Sequence, residues 1–399
     1  MLLTKSTSFI IGPVASLLGY IMNGIYWLLE NVGIPSIGLS IILFTIVIYM
    51  LLLPMTIKQQ KFSKLQAVMQ PEINKIQKKY KGKNNDQAAM MKMNEETQAV
   101  YAKYGVSPMG SCLQLIIQMP ILFALYRVIW NIPAYVTSVK NAFMPLAQSI
   151  MTMTGAQEFM AEIAKKNAVT FNEMTELTLI DVLYKCKPAD WASLTEKFPD
   201  ITELIASTQS TVDEMNYFLG LNIADAPLQI FMAAIASGAI LLAIGAAMIP
   251  ILSGVSQWLS AKLMSTNTDS QKSSGNSQAD QMANTMKTMN TVMPLMSAAF
   301  CLTLPVGMGI YWIAGAVIRT IQQVAINKSL DKIDMEELIQ KNLEKANKKR
   351  AKKGLPAQQQ NPQSQRIAAA ARMNTKNIES PQVSQEEREQ KIKDSTEFY

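Results

Sequence analysis

The sequence predicts an all-α polytopic membrane protein with a five-helix transmembrane core and a cytoplasmic helical hairpin. The first observation behind this prediction is composition, since hydrophobic residues make up 49% of the chain and charged residues only 17%, below the roughly 25% of soluble proteins. The second is that the apolar residues lie in separate blocks, each long enough to cross a bilayer. The third is an uneven distribution of lysine between the segments that join these blocks.

The first clear block is the uncharged run from Ile37 to Ile57, which is followed at once by three lysines within nine residues. At about 1.5 Å per helical residue the run is about 31 Å long, which matches the hydrocarbon core of a bilayer. Four further blocks follow, and Leu304-Pro305-Val306 joins the last two into a tight hairpin. We therefore predict five membrane-spanning segments, at residues 36–57, 109–130, 228–259, 291–304 and 306–326.

The charge of the connecting segments predicts the orientation, because loops rich in Lys and Arg stay in the cytoplasm. Residues 58–103 hold ten lysines and four acidic residues, a net charge of +6, whereas residues 140–214 hold six lysines and eleven acidic residues, a net charge of −5. Residues 328–399 hold fifteen basic and eleven acidic residues, a net charge of +4. We expect an extracytoplasmic helical insertion at 131–227, and a cytoplasmic hairpin, linker and basic tail at 58–108, 260–290 and 327–399.

The N-terminal segment, residues 1–35, has two interpretations that stay open. From Phe9 to Leu29 it is apolar enough to cross the membrane as a signal-anchor. Its glycines weaken such a helix, and Tyr20, Tyr26 and Trp27 fit an interfacial helix whose aromatic rings lie at headgroup depth. A signal-anchor that starts inside would leave the downstream orientation unchanged.

The cytoplasmic segment 58–108 is expected to form two helical arms, because its residues are good helix formers and Lys81-Gly82-Lys83-Asn84-Asn85 supplies a break. Apolar residues recur along the first arm at steps of three and four, at Leu65, Val68, Met69, Ile73 and Ile76. This stripe either packs on the second arm or forms a Met-rich groove for a partner. Elsewhere, residues 265–281 are typical of a flexible linker, and the tail from Asn347 onward is expected to be disordered or loosely helical.

The sequence lacks the residues of most catalytic chemistry. It contains no histidine, which excludes His-based acid–base catalysis and His-containing metal sites. Its three cysteines lie far apart without a CxxC motif, and no phosphate-binding loop or HExxH motif is present. We therefore expect a protein that is not an enzyme, with no catalytic residues, no cofactor and no metal ion.

The predicted spans contain no Asp or Glu, which argues against a transporter coupled to protons or cations. Their uncharged polar residues either join neighbouring helices or line a partly hydrated cavity. Arg127 lies near the outer end of its span. Arg319 lies nine residues before Lys328, about 13 Å from the cytoplasmic edge by helix rise. A cation at that depth should face the bundle interior or a water-filled cavity.

Three segments of the chain resemble the YidC/Oxa/Alb family of membrane protein insertases, of the bacterial YidC type. The first runs from Gly38 to Lys61 and contains Leu53-Pro54-Met55-Thr56. The other two segments are Tyr104-Gly105-Val106-Ser107-Pro108 with Gln118-Met119-Pro120, and Pro305-Val306-Gly307 with Tyr311-Trp312 and Gln322-Gln323. The turn Phe218-Leu219-Gly220-Leu221-Asn222 also fits the family, and the resemblance covers roughly residues 36–130 and 217–327.

The resemblance implies an insertase that works without nucleotide hydrolysis, alone or with a Sec-type translocase. Its five core helices would surround a hydrophilic groove that is open to the cytoplasm and to lipid and closed on the outer side. Nascent membrane proteins and the lipid bilayer would be its partners, in a bacterial plasma membrane with the C-terminus in the cytoplasm. The tail would touch the ribosome or be a plain solvated extension, and no DNA binding is expected. The hairpin would receive substrate, with basic contacts at Lys75, Lys78, Lys79, Lys81 and Lys83.

One position departs from the family pattern. Many bacterial members carry an arginine five residues before the proline that corresponds to Pro54, and here that position is Tyr49. Because Tyr49 and Arg319 each lie nine residues before a lysine at the cytoplasmic edge, the two side chains should lie at similar depth. Our hypothesis is that Arg319 supplies the groove cation, and the alternative is that it only snorkels or caps a carbonyl. The groove residues we expect are Thr45, Tyr49, Gln118, Tyr311, Trp312, Arg319 and Gln322.

Two other classes of function remain open at this point. A transporter or channel would use the same polar residues to line a conduction path. A structural protein that docks ribosomes would act mainly through the basic tail.

Overall fold

The computed structural model describes the chain at residues 5, 8–80, 82, 86–106, 110–265, 292, 294–332 and 335–352. Its first four helices are α1 (Ile11–Asn31), α2 (Ile37–Lys79), α3 (Gln87–Lys103) and α4 (Gly110–Trp130). Six helices follow, α5 (Ile132–Tyr135), α6 (Thr137–Met151), α7 (Ala156–Lys166), α8 (Glu176–Tyr184), α9 (Pro188–Lys197) and α10 (Thr202–Asn216). After strands β1 (Tyr217–Phe218) and β2 (Leu221–Asn222) come α11 (Pro227–Ala236), α12 (Ile240–Ser265), α13 (Pro294–Thr303), α14 (Val306–Leu330) and α15 (Met335–Ala351). The prediction of an all-α fold is confirmed.

Three of the described helices are long and apolar enough to cross a membrane, judged by length and composition: α1, α2, and α12 between Ile240 and Lys262. Shorter apolar helices run over Met119–Trp130, Pro227–Ala236 and Pro294–Thr303. Helix α14 is less apolar because it carries Arg319 and two glutamines. Several apolar helices in one chain define a polytopic membrane protein.

Residues 228–259, predicted as one span, form two helices in the structure, α11 and α12. Gly238 lies between them with φ at +75°, the left-handed conformation that ends many helices. The Gly238 and Ala239 N–H groups donate to the carbonyls of Ile235 and Ala234 at 3.2 and 2.8 Å, which is the Schellman pattern of a helix C-terminus. The apolar pattern continues through this point, so a hydropathy argument does not detect the break.

The chain divides into two compact units, residues 1–63 with 109–330 and residues 64–108 with 331–399. In the second unit, the apolar stripe predicted on the first hairpin arm packs against both α3 and the tail helix α15. The buried side chains of this cluster are Leu65, Met69, Ile73, Val100, Tyr104, Ile339 and Leu343. Gly105, with φ at +65°, lies so close to α15 that a Cβ would be 2.6 Å from the Leu343 nitrogen. The first part of the tail thus completes the core of the hairpin.

In the first unit, helices α5 to α10 form a compact layer around a buried hydrophobic core. The two strands that follow pair Tyr217 with Asn222 and Phe218 with Leu221. Their turn residues, Leu219 and Gly220, have φ at +52° and +80°, as a type I′ turn requires. The turn also anchors the start of α2, because a Cβ at Gly38 would lie 2.4 Å from the Phe218 ring.

Candidate functional site

Helices α2 and α14 lie side by side in the first unit and run in the same direction. Gly307 faces Ile41 and Gly315 faces Tyr49, so the contacts keep a constant offset along both helices. A Cβ at Gly315 would lie 3.1 Å from the Tyr49 hydroxyl, and one at Gly307 would lie 3.2 Å from Ile41. Glycines at these positions allow the helices to approach closely. Tyr49 therefore lies beside the middle of α14.

A polar cluster forms where these helices meet. Arg319 donates from Nη1 to the Tyr49 hydroxyl at 2.5 Å, and its guanidinium carbon lies 5.6 Å from the centre of the Tyr49 ring. Gln322 donates from Nε2 to the Tyr49 carbonyl at 2.9 Å. Tyr311 is buried, with its hydroxyl close to both Tyr49 and Arg319. The structure thus brings Tyr49, Tyr311, Arg319 and Gln322 together.

The charge of Arg319 meets only neutral groups within the described part of the chain. None of the ion pairs among the described residues includes Arg319. The Gln322 Oε1 atom is also buried without a hydrogen-bond partner there. A buried acceptor without a donor costs free energy, and so does a cation without a counter-charge. The positive charge of Arg319 and the Gln322 Oε1 atom therefore have no counter-charge and no hydrogen-bond donor, respectively, among the described residues.

A second polar contact joins the same helices nearer the Lys58 end of the first span. Gln60 donates to Gln323 Oε1 at 2.6 Å, and Gln323 donates to Gln60 Oε1 at 3.1 Å. Both side chains are buried, and Gln323 also donates to Asn327 at 3.2 Å. Unlike Arg319, this amide pair satisfies its own donors and acceptors.

Apolar and polar contacts occupy different halves of the two helices. The main hydrophobic core includes buried side chains from residues 37–48 of α2 and from residues 306–311 of α14. Beyond these residues the contacts between the helices involve Tyr49, Arg319, Gln322 and the glutamine pair. The change occurs at the same level on both helices, so one end of the pair is packed with hydrocarbon and the other carries polar groups.

Two of the predicted groove residues lie outside this cluster, and the side chain of a third is not described. Thr45 is fully buried, and its hydroxyl donates to the Ile41 carbonyl of its own helix at 2.6 Å. Trp312 is half-buried and packs against the hydrophobic core. The side chain of Gln118 lies outside the described residues. Sequence reasoning had not selected Gln60 as a site residue, although it belongs to the Lys58-Gln59-Gln60-Lys61 motif that carries part of the resemblance.

The hairpin lysines are placed differently from one another. Lys75 and Lys78 are exposed. Lys79 donates to Glu96 at 2.5 Å within the hairpin, and this hydrogen bond, followed by that from Tyr80, lowers the pKa of the Glu96 carboxyl. The predicted contacts Lys81 and Lys83 lie outside the described residues.

Among the described residues, no group of three or more Cys, Asp or Glu side chains is placed to hold a metal ion.

The layer formed by residues 131–222 holds two further charged groups, the buried Asp190 and the half-buried Lys185. Asp190 accepts hydrogen bonds from Lys166 at 2.6 Å, from Asn167 at 2.9 Å and from the Lys187 N–H at 3.0 Å. Burial raises the pKa of Asp190, but these hydrogen bonds outweigh burial and hold the pKa below its ordinary value. Lys185 donates to the Trp130 carbonyl at 2.8 Å, and burial lowers its pKa to about 8. These groups connect the layer internally and to the end of α4.

The fold and the site define a class of protein: a helical membrane protein in which an arginine lies in a polar contact between two helices and has only neutral partners among the described residues. The family model described as "60Kd inner membrane protein" matches residues 27–333. The chain therefore belongs to the 60Kd inner membrane protein family, the YidC/Oxa1 family, and the resemblance drawn from the sequence is confirmed.

Curated relatives of the chain are named membrane protein insertases. The membrane protein insertase MisCA of Bacillus subtilis (strain 168) is 37% identical over 126 residues, which are 32% of this chain and 44% of the relative. Membrane protein insertase YidC 1 of Streptococcus pyogenes serotype M6 is 46% identical over 97 residues, 24% of this chain and 34% of the relative. YidC 1 of Halalkalibacterium halodurans is 39% identical over 113 residues, 28% and 43% of the two chains. The aligned part of the chain thus spans less than half the length of each of these relatives.

Proposed function

We propose that this protein inserts nascent membrane proteins into the bilayer of a bacterial plasma membrane. The observation that carries the proposal is Arg319, a cation between α2 and α14 whose described partners are all neutral. Membership of the family and the names of its relatives as insertases support the same function.

The substrate path is a hydrophilic groove on the polar side of the α2–α14 contact, open to the cytoplasm and to lipid. Moving a polar segment into hydrocarbon without hydrogen-bond partners costs several kcal/mol per group. Tyr49, Arg319 and Gln322 lower that cost by offering partners at intermediate depth. The hydrophobic segment of the substrate then slides along the apolar helices into lipid.

Arg319 gives the groove its preference for acidic segments. In many family members an arginine on the first core helix has this position, and here Tyr49 occupies it and hydrogen-bonds Arg319 instead. An acidic segment of the substrate neutralises the guanidinium while it crosses the membrane, and a charge-assisted hydrogen bond forms. The packed hydrocarbon contact at residues 37–48 and 306–311 supports closure of the groove on the outer side.

Insertion needs no nucleotide hydrolysis, because burial of the hydrophobic segment of the substrate in lipid supplies the free energy. The protein works alone or beside a Sec-type translocase. Residues 58–108, 260–290 and 327–399 are cytoplasmic and residues 131–227 lie outside, as the lysine distribution predicts. The hairpin receives the substrate, and the basic tail contacts ribosomal RNA through phosphate groups.

Proteoliposomes test this function. The full chain is reconstituted in liposomes without nucleotide or any other protein, and a short single-span substrate with an acidic tail is added. We expect the tail to become protected from external protease in proteoliposomes and to stay accessible in empty liposomes. Equal protection in both, or solute flux without protection, would contradict the proposal, and flux would point to a channel.

A substitution at Gly315 tests whether insertion depends on the α2–α14 contact. Gly315→Val places two methyl groups against Tyr49 and should displace the Arg319 hydrogen bond, so we expect insertion to slow. Gly24→Val is the matched control, because nothing lies within 4 Å of a Cβ at Gly24. If the two variants insert equally well, the α2–α14 contact is not part of the substrate path.

A further inference from the structure

A cavity of about 200 Å³ lies between α1, helices α5 and α6, and the start of helix α8. Because one water takes about 30 Å³ in the liquid, the cavity has room for a group far larger than a single water. Its main lining side chains are Lys5, Tyr20, Asn23, Tyr135, Lys140 and Leu177. It is separate from the α2–α14 contact and takes no part in the proposed insertion.

The charged residues described in the lining of this cavity are both positive. Two lysines line it, and no Asp or Glu is among the described residues of its lining. Neither Lys5 nor Lys140 belongs to any of the ion pairs in the described part of the chain. The Lys5 ammonium group lies 5.8 Å from the centre of the Tyr135 ring, which also lines the cavity. Two positive charges in a concave site attract an anion.

The architecture of the cavity makes it a fixed feature of the fold. Asn23 accepts a hydrogen bond from the Thr137 N–H at 2.7 Å, which joins α1 to the start of α6. Gly19 allows the Tyr135 ring to contact α1 directly, since a Cβ there would lie 2.4 Å from the ring. Tyr135 itself is buried. The part of the lining formed by Asn23 and Tyr135 is therefore packed between α1 and the start of α6.

We propose that this cavity binds the phosphate of an anionic phospholipid headgroup, with Lys5 and Lys140 as the cationic contacts. Apart from Asn23 and Thr137, the rest of the lining is aromatic and aliphatic, which suits the glycerol and upper acyl carbons of a lipid better than a fully hydrated free phosphate. Next to the cavity, α1 exposes Leu17 and Tyr20, with exposed fractions of 62% and 78%. An exposed aromatic ring beside lysines is typical of the headgroup level of a membrane.

Binding of short-chain lipids to the full chain in a zwitterionic detergent tests the proposal. The probes are dihexanoyl phosphatidylglycerol, dihexanoyl phosphatidylcholine and inorganic phosphate, each titrated against the thermal unfolding midpoint, which rises with any ligand that binds the folded state. We expect the phosphatidylglycerol to raise the midpoint at concentrations where the other two do not. A response to inorganic phosphate at the same concentrations would assign the site to a free anion, and an equal response to phosphatidylcholine would exclude selection by charge. Either result would overturn the proposal.

The variant Lys5→Gln/Lys140→Gln removes both cationic contacts and leaves the Asn23–Thr137 hydrogen bond and the contact of Tyr135 with α1 in place. At roughly 1 kcal/mol per lysine near a membrane surface, we expect the dissociation constant for phosphatidylglycerol to rise about tenfold or more. The control Lys165→Gln/Lys197→Gln removes the same charge from exposed lysines of the same layer and should leave binding unchanged. An equal loss in both double variants, or no loss in the first, would show that the cavity is not the site.

Discussion

Asp190 and Arg319 are charged side chains in the same unit, and they differ in whether their described partners neutralise the charge. Asp190 is 1% exposed and accepts three hydrogen bonds, one of them from the cation Lys166. Arg319 is half-buried and donates to a neutral tyrosine hydroxyl, with no carboxylate partner among the described residues. The first arrangement is complete without a ligand, and the second is not.

This difference separates a charge that stabilises the fold from a charge that serves function. A buried charge whose partners are all in place contributes to a unique packing, and removal of one partner is costly. A cation that meets only neutral groups contributes less to stability and keeps its attraction for an incoming anion. We therefore expect changes at Asp190 to affect unfolding and changes at Arg319 to affect insertion.

The largest expected effect on stability is that of Asp190→Ala. It leaves Lys166, Asn167 and the Lys187 N–H without their acceptor, and we expect the free energy of unfolding to fall by about 3 kcal/mol. Thermal unfolding in detergent measures this change. Asp200→Ala, at an exposed aspartate of the same layer, is the control and should be nearly neutral. A neutral result at Asp190 would remove the distinction drawn from its hydrogen bonds.

Asp225 extends the comparison to a carboxylate whose interactions do not outweigh the effect of burial on its pKa. Burial first, and then the negative charge of Asp213, raise its pKa from 3.8 to about 6, against the opposing effect of Lys187. The folded state therefore binds the proton more tightly than the unfolded state, so stability falls as the pH rises from 3.8 to about 6 and stays low above that. Asp225→Asn should remove this loss.

Unfolding at different pH values checks the sign of this effect. Well above pH 6 we expect Asp225→Asn to be more stable than the unmodified chain by roughly 3 kcal/mol, and below the ordinary pKa of the carboxyl we expect little difference. A gain that does not depend on pH would mean that the substitution acts through packing and not through the charge of Asp225.

The glutamine pair between α2 and α14 tests whether the two helices are held together independently of Arg319. Gln60→Leu and Gln323→Leu each remove one partner of a reciprocal hydrogen bond. In a double-mutant cycle we expect a coupling energy of about 1 kcal/mol. Strictly additive effects in thermal unfolding would show that the pair does not stabilise the contact.

Tyr49→Phe should have the smallest effect. It keeps the ring and removes the hydroxyl that accepts from Arg319, and a half-buried guanidinium can then bond to water, so we expect a loss of about 0.5 kcal/mol. Insertion of acidic-tailed substrates should persist because the cation is still present. If insertion is lost as fully as on removal of Arg319, the tyrosine hydroxyl and not the charge is the functional group.

Features that depend on uniform helix geometry could be predicted from the sequence. Tyr49 and Arg319 lie at equal distances from lysines on parallel helices, and since the rise per residue is constant, their similar level along the two helices followed from counting. The helical class and the all-α fold followed from composition and apolar blocks. These inferences need no knowledge of individual contacts.

Features that depend on one backbone angle, or on an amphipathic pattern with few apolar residues, could not be predicted from the sequence. The break at Gly238 requires a left-handed conformation that the apolar pattern does not signal. Helix α15 docks on the hairpin mainly through Ile339 and Leu343 in an otherwise charged segment, so its amphipathic pattern is too sparse to predict a partner. Thr45 was expected in the groove, but a threonine hydroxyl in a helix can equally bond its own backbone, as it does here.

The most direct test of the central claim is the charge at position 319. Arg319→Ala, Arg319→Lys and the unmodified chain are compared in proteoliposomes with two single-span substrates, one with an acidic tail and one in which Asn and Gln replace the acidic residues. Arg127→Ala is the matched control, because Arg127 is an exposed arginine of another apolar helix.

We expect Arg319→Ala to slow insertion of the acidic-tailed substrate about tenfold, equivalent to about 1.4 kcal/mol, and to affect the neutral-tailed substrate little. Arg319→Lys should keep most of the activity, because it keeps the positive charge, and Arg127→Ala should match the unmodified chain. If Arg319→Ala inserts the acidic-tailed substrate at the rate of the unmodified chain, Arg319 is not the cation of the groove.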